Sequence, residues 1–249
     1  MLAAAGFQAV EIWAEHLQQT GEKPSTVATA LAAAGIACTV HCPIIDVNIC
    51  STNPVMAEAS LTQYLDALRV AGELEARVFV FHPGNRFSSF DPLDIYWKRL
   101  GECLRRVLEA NRPPVLVAVE NMEADKPFEV VKNAGDLARV LACAEGCAAG
   151  TQVGVCWDAT HLLDTQSNAE FLAAVPRIDH VHLSDARRDP GGTARKHLRL
   201  GRGSLDLKGL LAHPRAREAG VVSLETVMID PTLADLSAER ALLEEALLG

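Results

Sequence analysis

Six short apolar runs in this chain each deliver an acid or an imidazole at the same end. Cys38–His41 ends on His41, Val78–His82 on His82 and Val115–Glu120 on Glu120. Val153–Trp157 is followed at once by Asp158, Ile178–Leu183 carries His182, and Val221–Glu225 ends on Glu225. Imidazole nitrogen and carboxylate oxygen are ligands for divalent cations, and a mixed set suits Zn, Mn, Fe or Co better than Ca. Gathering so many ionisable groups is costly unless a cation compensates them. Two more histidines stand in nearby loops. These are His161, in Asp-Ala-Thr-His three after Asp158, and His197, in Lys-His-Leu-Arg-Leu-Gly-Arg-Gly. A lone histidine at a strand end is usually a hydrogen-bonded structural residue. Six such groups at corresponding positions are poorly explained that way. His16, His180 and His213 fall outside the pattern and read as structural.

Something must bring these six positions to one place. The runs above, with Ala9–Trp13 before them, are rich in Val and Ile and too short for typical helices. Between them lie helical patterns at Ser25–Ala34, Pro54–Gly72, Pro92–Ala110, Phe128–Ala144, Asn168–Ala174, Asp206–Leu211 and Leu233–Leu248. Gly35, Gly72 and Gly220 sit where a helix should stop before a strand. The strands are apolar runs rather than alternations, as in a parallel sheet covered on both faces. Seven βα units of this kind predict an α/β fold, a TIM barrel, whose C-terminal strand ends form one rim. No linker divides residues 1–249, so a single domain is expected. Neither Gly-x-Gly-x-x-Gly nor Gly-x-x-x-x-Gly-Lys occurs, which argues against a doubly wound nucleotide binder.

Composition narrows the function further. The 249 residues are 49% hydrophobic and carry 23 Lys and Arg against 32 Asp and Glu, a formal charge of −9. That argues against a general polyanion-binding surface. Aromatics are 5% of the chain, too few for a base-stacking surface. Nucleic acid is therefore an unfavoured partner. The sequence shows neither a signal peptide nor a membrane span, so a cytoplasmic protein with no membrane partner is expected. Seven cysteines in no paired zinc spacing read as reduced, mostly buried thiols. Cys143 and Cys147 stand i, i+4 on a helical stretch, a weak metal pair. Residues 187–202 hold Arg187, Arg188, Arg195, Lys196, Arg199 and Arg202 around an Asp-Pro-Gly-Gly-Thr turn. They form either a solvated loop or a device that captures phosphate or carboxylate. Glu11 and Trp13, near the first strand's end, are candidate pocket residues, although a glutamate there can also be structural.

These segments together resemble the xylose isomerase-like metal-dependent barrel superfamily. It includes sugar isomerases and epimerases and the endonuclease IV type of abasic-site nuclease. The resemblance is carried by Gly-Phe-Gln-Ala-Val-Glu-Ile (6–12), His-Cys-Pro-Ile-Ile-Asp-Val-Asn (41–48) and Phe-His-Pro-Gly (81–84). It continues with Val-Glu-Asn-Met (119–122), Gly-Val-Cys-Trp-Asp-Ala-Thr-His (154–161), Val-His-Leu-Ser-Asp (181–185), Leu-Gly-Arg-Gly-Ser-Leu-Asp (200–206) and Leu-Glu-Thr (224–226). For an epimerase, the resemblance implies one metal on Glu120, Asp158, His182 and Glu225. For a nuclease, it implies three zinc ions with His41, His82, His161 and His197 as further ligands. The aspartate that the nuclease pattern expects two before His197 is Arg195 here, which weakens the third site. The nuclease-type Asp-Thr-Cys-His reads Asp-Ala-Thr-His. The loop after His41 reads Pro-Ile-Ile, without an aromatic wedge.

The leading expectation is accordingly a sugar or sugar-phosphate isomerase or epimerase. A divalent metal (Zn, Mn or Co) would stabilise an enediolate. Glu120 and Glu225 would move the proton, and His161, Arg195, His197 and Glu11 would hold substrate. The alternative is a zinc-dependent phosphodiesterase of the endonuclease IV type. One ion per chain suits the first and two or more the second. A third reading is a non-catalytic metal or metabolite sensor. Only seven βα units are counted, and Ala-Ala-Ala-Gly-Phe at the start reads as the end of a helix. The expectation is therefore an incomplete gene start or a gapped barrel, open between Ala9–Trp13 and Val221–Glu225.

Overall fold

The computed structural model describes residues 1–88, 90–145 and 153–248. Six strands come first: β1 Ala9–Trp13, β2 Ala37–His41, β3 Val78–Phe81, β4 Leu116–Glu120, β5 Val153–Asp158 and β6 His180–Leu183. A hairpin follows, β7 Asp185–Arg188 and β8 Ala194–Leu198, and then β9 Val221–Leu224. The barrel sheet runs β1-β2-β3-β4-β5-β6-β9, every neighbouring pair parallel. Around it lie α1 Ala14–Thr20, α2 Pro24–Ala34, α3 Pro54–Glu73, α4 Leu93–Ala110, α5 Ala134–Glu145, α6 Thr165–Ala174, α7 Leu207–Leu211 and α8 Leu233–Leu248. This is the TIM-barrel architecture that the alternation predicted. No helix among the described residues is long and apolar enough to cross a membrane.

Local chemistry explains the boundaries. α3 opens with Asn53, whose side chain accepts from the Val55 amide at 3.0 Å, and has Pro54 in its first turn. α2 closes at Gly35, φ 64°, where a left-handed residue satisfies the last carbonyls. α4 buries Tyr96, Trp97, Leu100, Cys103, Leu104, Val107 and Leu108, the three-to-four spacing of one helix face. The residues of β3, β5 and β6 are fully buried, as strands covered on both faces must be.

The barrel does not close. Among the described residues no ladder joins β9 to β1. Every residue of these two strands is partly exposed. A groove lined by Phe7, Val10, Val222, Leu224 and Met228 runs between them. One side-chain bridge crosses it, Ser223 Oγ donating to Glu11 Oε2 at 3.3 Å. The expected gap between the first and last strands is present.

Four elements depart from the sequence expectation. α1 was not foreseen, because seven residues are too few to show a helical period. Residues 185–198 form an antiparallel hairpin, with Arg187 opposite Arg195, rather than a free turn. Its strands alternate no apolar residues, so composition hid them. α5 begins at Ala134 rather than Phe128, since the stretch before it is tied across the rim: the Arg86 amide donates to the Phe128 carbonyl at 2.7 Å. α6 begins a turn early at Thr165, capped by Asp164, which accepts from the Ser167 amide at 2.8 Å. The described cysteines are all free: Cys38, Cys42, Cys50, Cys103 and Cys156 are buried and Cys143 is exposed. Cys147 lies outside the described residues.

Candidate metal centre

The parallel register lines up the strand ends, so their last side chains meet. Glu120 lies at the middle. Its Oε2 is 3.0 Å from His82 Nε2 and 3.8 Å from His41 Nε2. Its Oε1 is 3.4 Å from both His161 Nδ1 and His182 Nδ1. Glu225 Oε2 is 3.1 Å from His182 Nδ1 and 4.0 Å from His197 Nδ1. Asp158 Oδ2 is 3.5 Å from His161 Nε2. Five groups of side chains among the described residues have their ligand atoms within 4.8 Å of one another; besides Cys156–His180–His182 and Glu11–His41–His182, three lie on the rim. These three are His41–His82–Glu120, Glu120–Asp158–His182–Glu225 and Asp158–His161–His197. Glu120 and Asp158 each belong to two groups, which is how carboxylates bridge neighbouring cations.

Neighbouring hydrogen bonds fix which atom of each side chain faces inward. His41 Nδ1 donates to the Cys42 carbonyl at 2.7 Å, leaving Nε2 toward the centre. His161 Nδ1 donates to the Asn121 carbonyl at 2.7 Å. Asp158 Oδ1 accepts from the Thr160 amide at 2.6 Å, the Thr160 hydroxyl at 2.8 Å and the His161 amide at 3.2 Å. Its other oxygen stays free. Asn121 locks β4 to β5: its Oδ1 accepts from the Asp158 amide at 2.9 Å and its Nδ2 donates to the Asp158 carbonyl at 3.1 Å. Asn48 does the same for the loops after β2 and β3. Its Oδ1 accepts from the Asn85 amide at 3.0 Å, close beside Gly84, φ 78°. A side chain at position 84 would strain the turn and press on Asn48. Neither asparagine was singled out in the sequence. Their signal was adjacency to ligand-type residues, in Val-Glu-Asn-Met and His-Cys-Pro-Ile-Ile-Asp-Val-Asn.

The inward atoms face one another and make no hydrogen bond outside the cluster. His82 Nε2, Glu120 Oε2, Asp158 Oδ2, His182 Nδ1, His197 Nδ1 and Glu225 Oε2 are all buried without a hydrogen bond. Buried polar atoms are normally satisfied, so a cluster of orphans with nitrogen and oxygen donors fits divalent cations. The charges agree. Burial pushes Glu120 up, but His182 and His82 outweigh it and hold the carboxyl well below its usual range. Burial likewise pushes Glu225 up, and His182 overcomes this to hold it at about 2. Asp158 goes the other way, raised by burial that His161 only partly offsets.

Above the centre opens a cavity of about 480 Å³, floored by the histidines and glutamates and walled by Trp13, Ile44, Met122, Leu224 and Val227. His41, His82, Glu120, His161, His197 and Glu225 line it. Two expected substrate residues stand elsewhere. Arg195 is exposed on the hairpin, its Nε 2.7 Å from Asp189 Oδ2, and does not line the cavity. Side chains alternate along a strand, so Arg195 turns outward and its neighbour Lys196 turns in. Lys196 Nζ lies 2.6 Å from Glu123 Oε1 and 2.7 Å from Asp125 Oδ1, pinning the hairpin to the rim loop after β4. Glu11 is also absent from the cavity lining. It sits beneath the centre, against His180 and His182.

Comparison with known proteins places the chain. The profile of the xylose isomerase-like TIM barrel family matches residues 1–246, and the chain belongs to that family. A curated relative, "Probable endonuclease 4" of Mycoplasmoides gallisepticum, is 25% identical over 205 residues, covering 77% of this chain and 65% of the relative. Its matched segment thus falls just short of two thirds of that relative's length. Two solved structures share the fold. A D-tagatose 3-epimerase-like protein superposes with a TM-score of 0.77 at 21% identity, covering 97% of this chain and 89% of the other. The IolI protein, solved with a zinc atom bound, gives 0.78 at 17% identity, covering 99% and 90%.

Proposed function

We propose that the chain is a divalent-metal-dependent phosphoric ester hydrolase acting on a small substrate at a polynuclear centre. The observation that carries this is the set of buried ligand atoms that face only one another, arranged on the rim as three groups sharing Glu120 and Asp158. His41, His82 and Glu120 would hold one ion, and Glu120, Asp158, His182 and Glu225 a second. Asp158, His161 and His197 offer a third, weaker position. Bound ions would supply an activated water and charge stabilisation on the phosphoryl oxygens. The protein's own part is to hold these ligands ionised and oriented, and to enclose the ester between Trp13, Met122 and Val227. Among the described residues no lysine or arginine lines the cavity. A phosphate would therefore be gripped at the centre itself. The small cavity and the acidic chain favour a small ester over a DNA duplex. The relative's printed name, an endonuclease, supports ester hydrolysis as the reaction class.

The isomerase or epimerase reading, the leading expectation from the sequence, is placed second. It is favoured by the Glu120–Asp158–His182–Glu225 group, which suffices alone for one ion, and by a cavity of monosaccharide size. The outward turn of Arg195 removes its expected phosphate grip. Elemental analysis of protein purified without chelator separates the two readings. Two or more ions with turnover of phosphate esters are expected. One ion with ketose epimerisation would replace the hydrolase by the isomerase, and nicking of an abasic-site duplex would enlarge the substrate to DNA.

A further inference from the structure

One layer deeper in the barrel, the carboxylate of Glu11 on β1 collects side chains from three other strands. Its Oε2 accepts from Thr39 Oγ1 at 2.7 Å, from His180 Nε2 at 2.8 Å and from Ser223 Oγ at 3.3 Å. Its Oε1 lies 2.8 Å from His182 Nε2. These partners come from β2, β6 and β9, so a residue on one edge of the open barrel touches the opposite edge and the strand beside it. His182 is fully buried and has its other nitrogen, Nδ1, at 3.1 Å from Glu225 and 3.4 Å from Glu120. A neutral imidazole has one N–H and one lone pair. Both nitrogens lie beside carboxylates, so a cation held at the Nδ1 end with Glu120 and Glu225 would leave the single N–H to Nε2, where Glu11 stands.

We propose that Glu11 is a positioning residue for His182, selecting the Nε2–H form and fixing the ring so that Nδ1 points at the centre. The inference rests on the metal-centre reading above. Both carboxylate oxygens are used, Oε1 on His182 and Oε2 on His180, so an amide cannot replace it. One end of glutamine is itself a donor and would face an imidazole N–H. Carboxylate partners of metal-bound histidines typically contribute 10–100-fold in metal affinity.

The test is zinc binding to chelator-stripped protein, read by competition with a chromophoric chelator, with the cobalt(II) absorption spectrum and the histidine 15N shifts as site readouts. Glu11→Gln is expected to weaken zinc binding about 10–100-fold, alter the cobalt bands and give His182 a mixture of tautomers. Zinc affinity within twofold of wild type, with an unchanged tautomer, would overturn the proposal. If Glu11→Gln does not fold, Thr39→Val and Ser223→Ala loosen the carboxylate while leaving it in place. A smaller loss of affinity with the same cobalt shift then supports the proposal, and full affinity in both variants overturns it. Wild-type protein that binds no divalent ion overturns the metal-centre reading itself, and does so before any variant is made.

Discussion

Glu120 belongs to two ligand groups at once, which makes its replacement more damaging than that of any single-group ligand. Glu120→Gln keeps the side chain's shape and removes its charge. Glu120 faces His82 at 3.0 Å and His161 and His182 at 3.4 Å, so both ions proposed to share it would lose their common anion. Metal content is expected to fall by two ions per chain in this variant, and by one in His82→Ala. Stability gives an independent reading. A ligand at 100 times its Kd stabilises the native state by about 2.7 kcal/mol. In a chain of this size each kcal/mol moves Tm by roughly 2–4 °C. Zinc should therefore raise the wild-type Tm by about 5–11 °C for each ion bound, and barely move Glu120→Gln. The stripped variant should also melt below the stripped wild type, because breaking one side of a buried ion pair costs about 3–5 kcal/mol. Elemental analysis after dialysis and thermal melts with and without zinc measure both quantities. Equal metal loss in Glu120→Gln and His82→Ala, or an undiminished zinc response in Glu120→Gln, would refute the bridging role.

Other consequences follow from the same geometry. Glu225 is held at about 2 against an ordinary 4.5, a displacement of about 3 kcal/mol at most. A depressed carboxyl stabilises the fold fully above 4.5 and loses that contribution as pH falls through about 2. In metal-free protein, Glu225→Gln should thus cost up to about 3 kcal/mol at pH 6, with the difference closing toward pH 2 in denaturant titrations. Arg195→Ala should leave KM unchanged, since Arg195 pairs with Asp189 away from the cavity. Lys196→Met, which unpins the hairpin from Glu123 and Asp125, should raise KM. Asn121→Ala removes two buried hydrogen bonds to the Asp158 backbone. It should lower stability by about 2–3 kcal/mol and weaken metal binding, read by melts with and without zinc.

Much of this was legible in the sequence because the two strongest signals coincide. Apolar runs of strand length gave the parallel barrel, and their terminal His, Asp and Glu residues gave the rim. His41, His82, Glu120, Asp158, His161, His182, His197 and Glu225 do converge. What escaped was carried by backbone direction rather than residue type. The Arg187–Arg202 stretch advertised charge but not the hairpin whose alternation sends Arg195 out and Lys196 in. Glu11 was visible as an acid on a strand, but its depth within the barrel was not. His180, two before His182, was set aside as structural, and only the register shows that both rings reach Glu11. Asn48 and Asn121 act through backbone partners brought close by folding, so their places beside ligand-type residues did not reveal what they hold.

The electrostatics also bear on which reaction the rim supports. A general base works best with a pKa near the operating pH. Glu120 is held well below its usual range and Glu225 at about 2, each by His182, which they share. Such carboxylates stay ionised but attract protons weakly, and a bound cation would depress them further. They are suited to holding positive charge. A reaction whose nucleophile is a metal-activated water needs no carboxylate base of this kind. The proposed hydrolysis rests on the shared ligand groups and on glutamates held ionised, and metal stoichiometry with the substrate panel decides between it and enediolate chemistry.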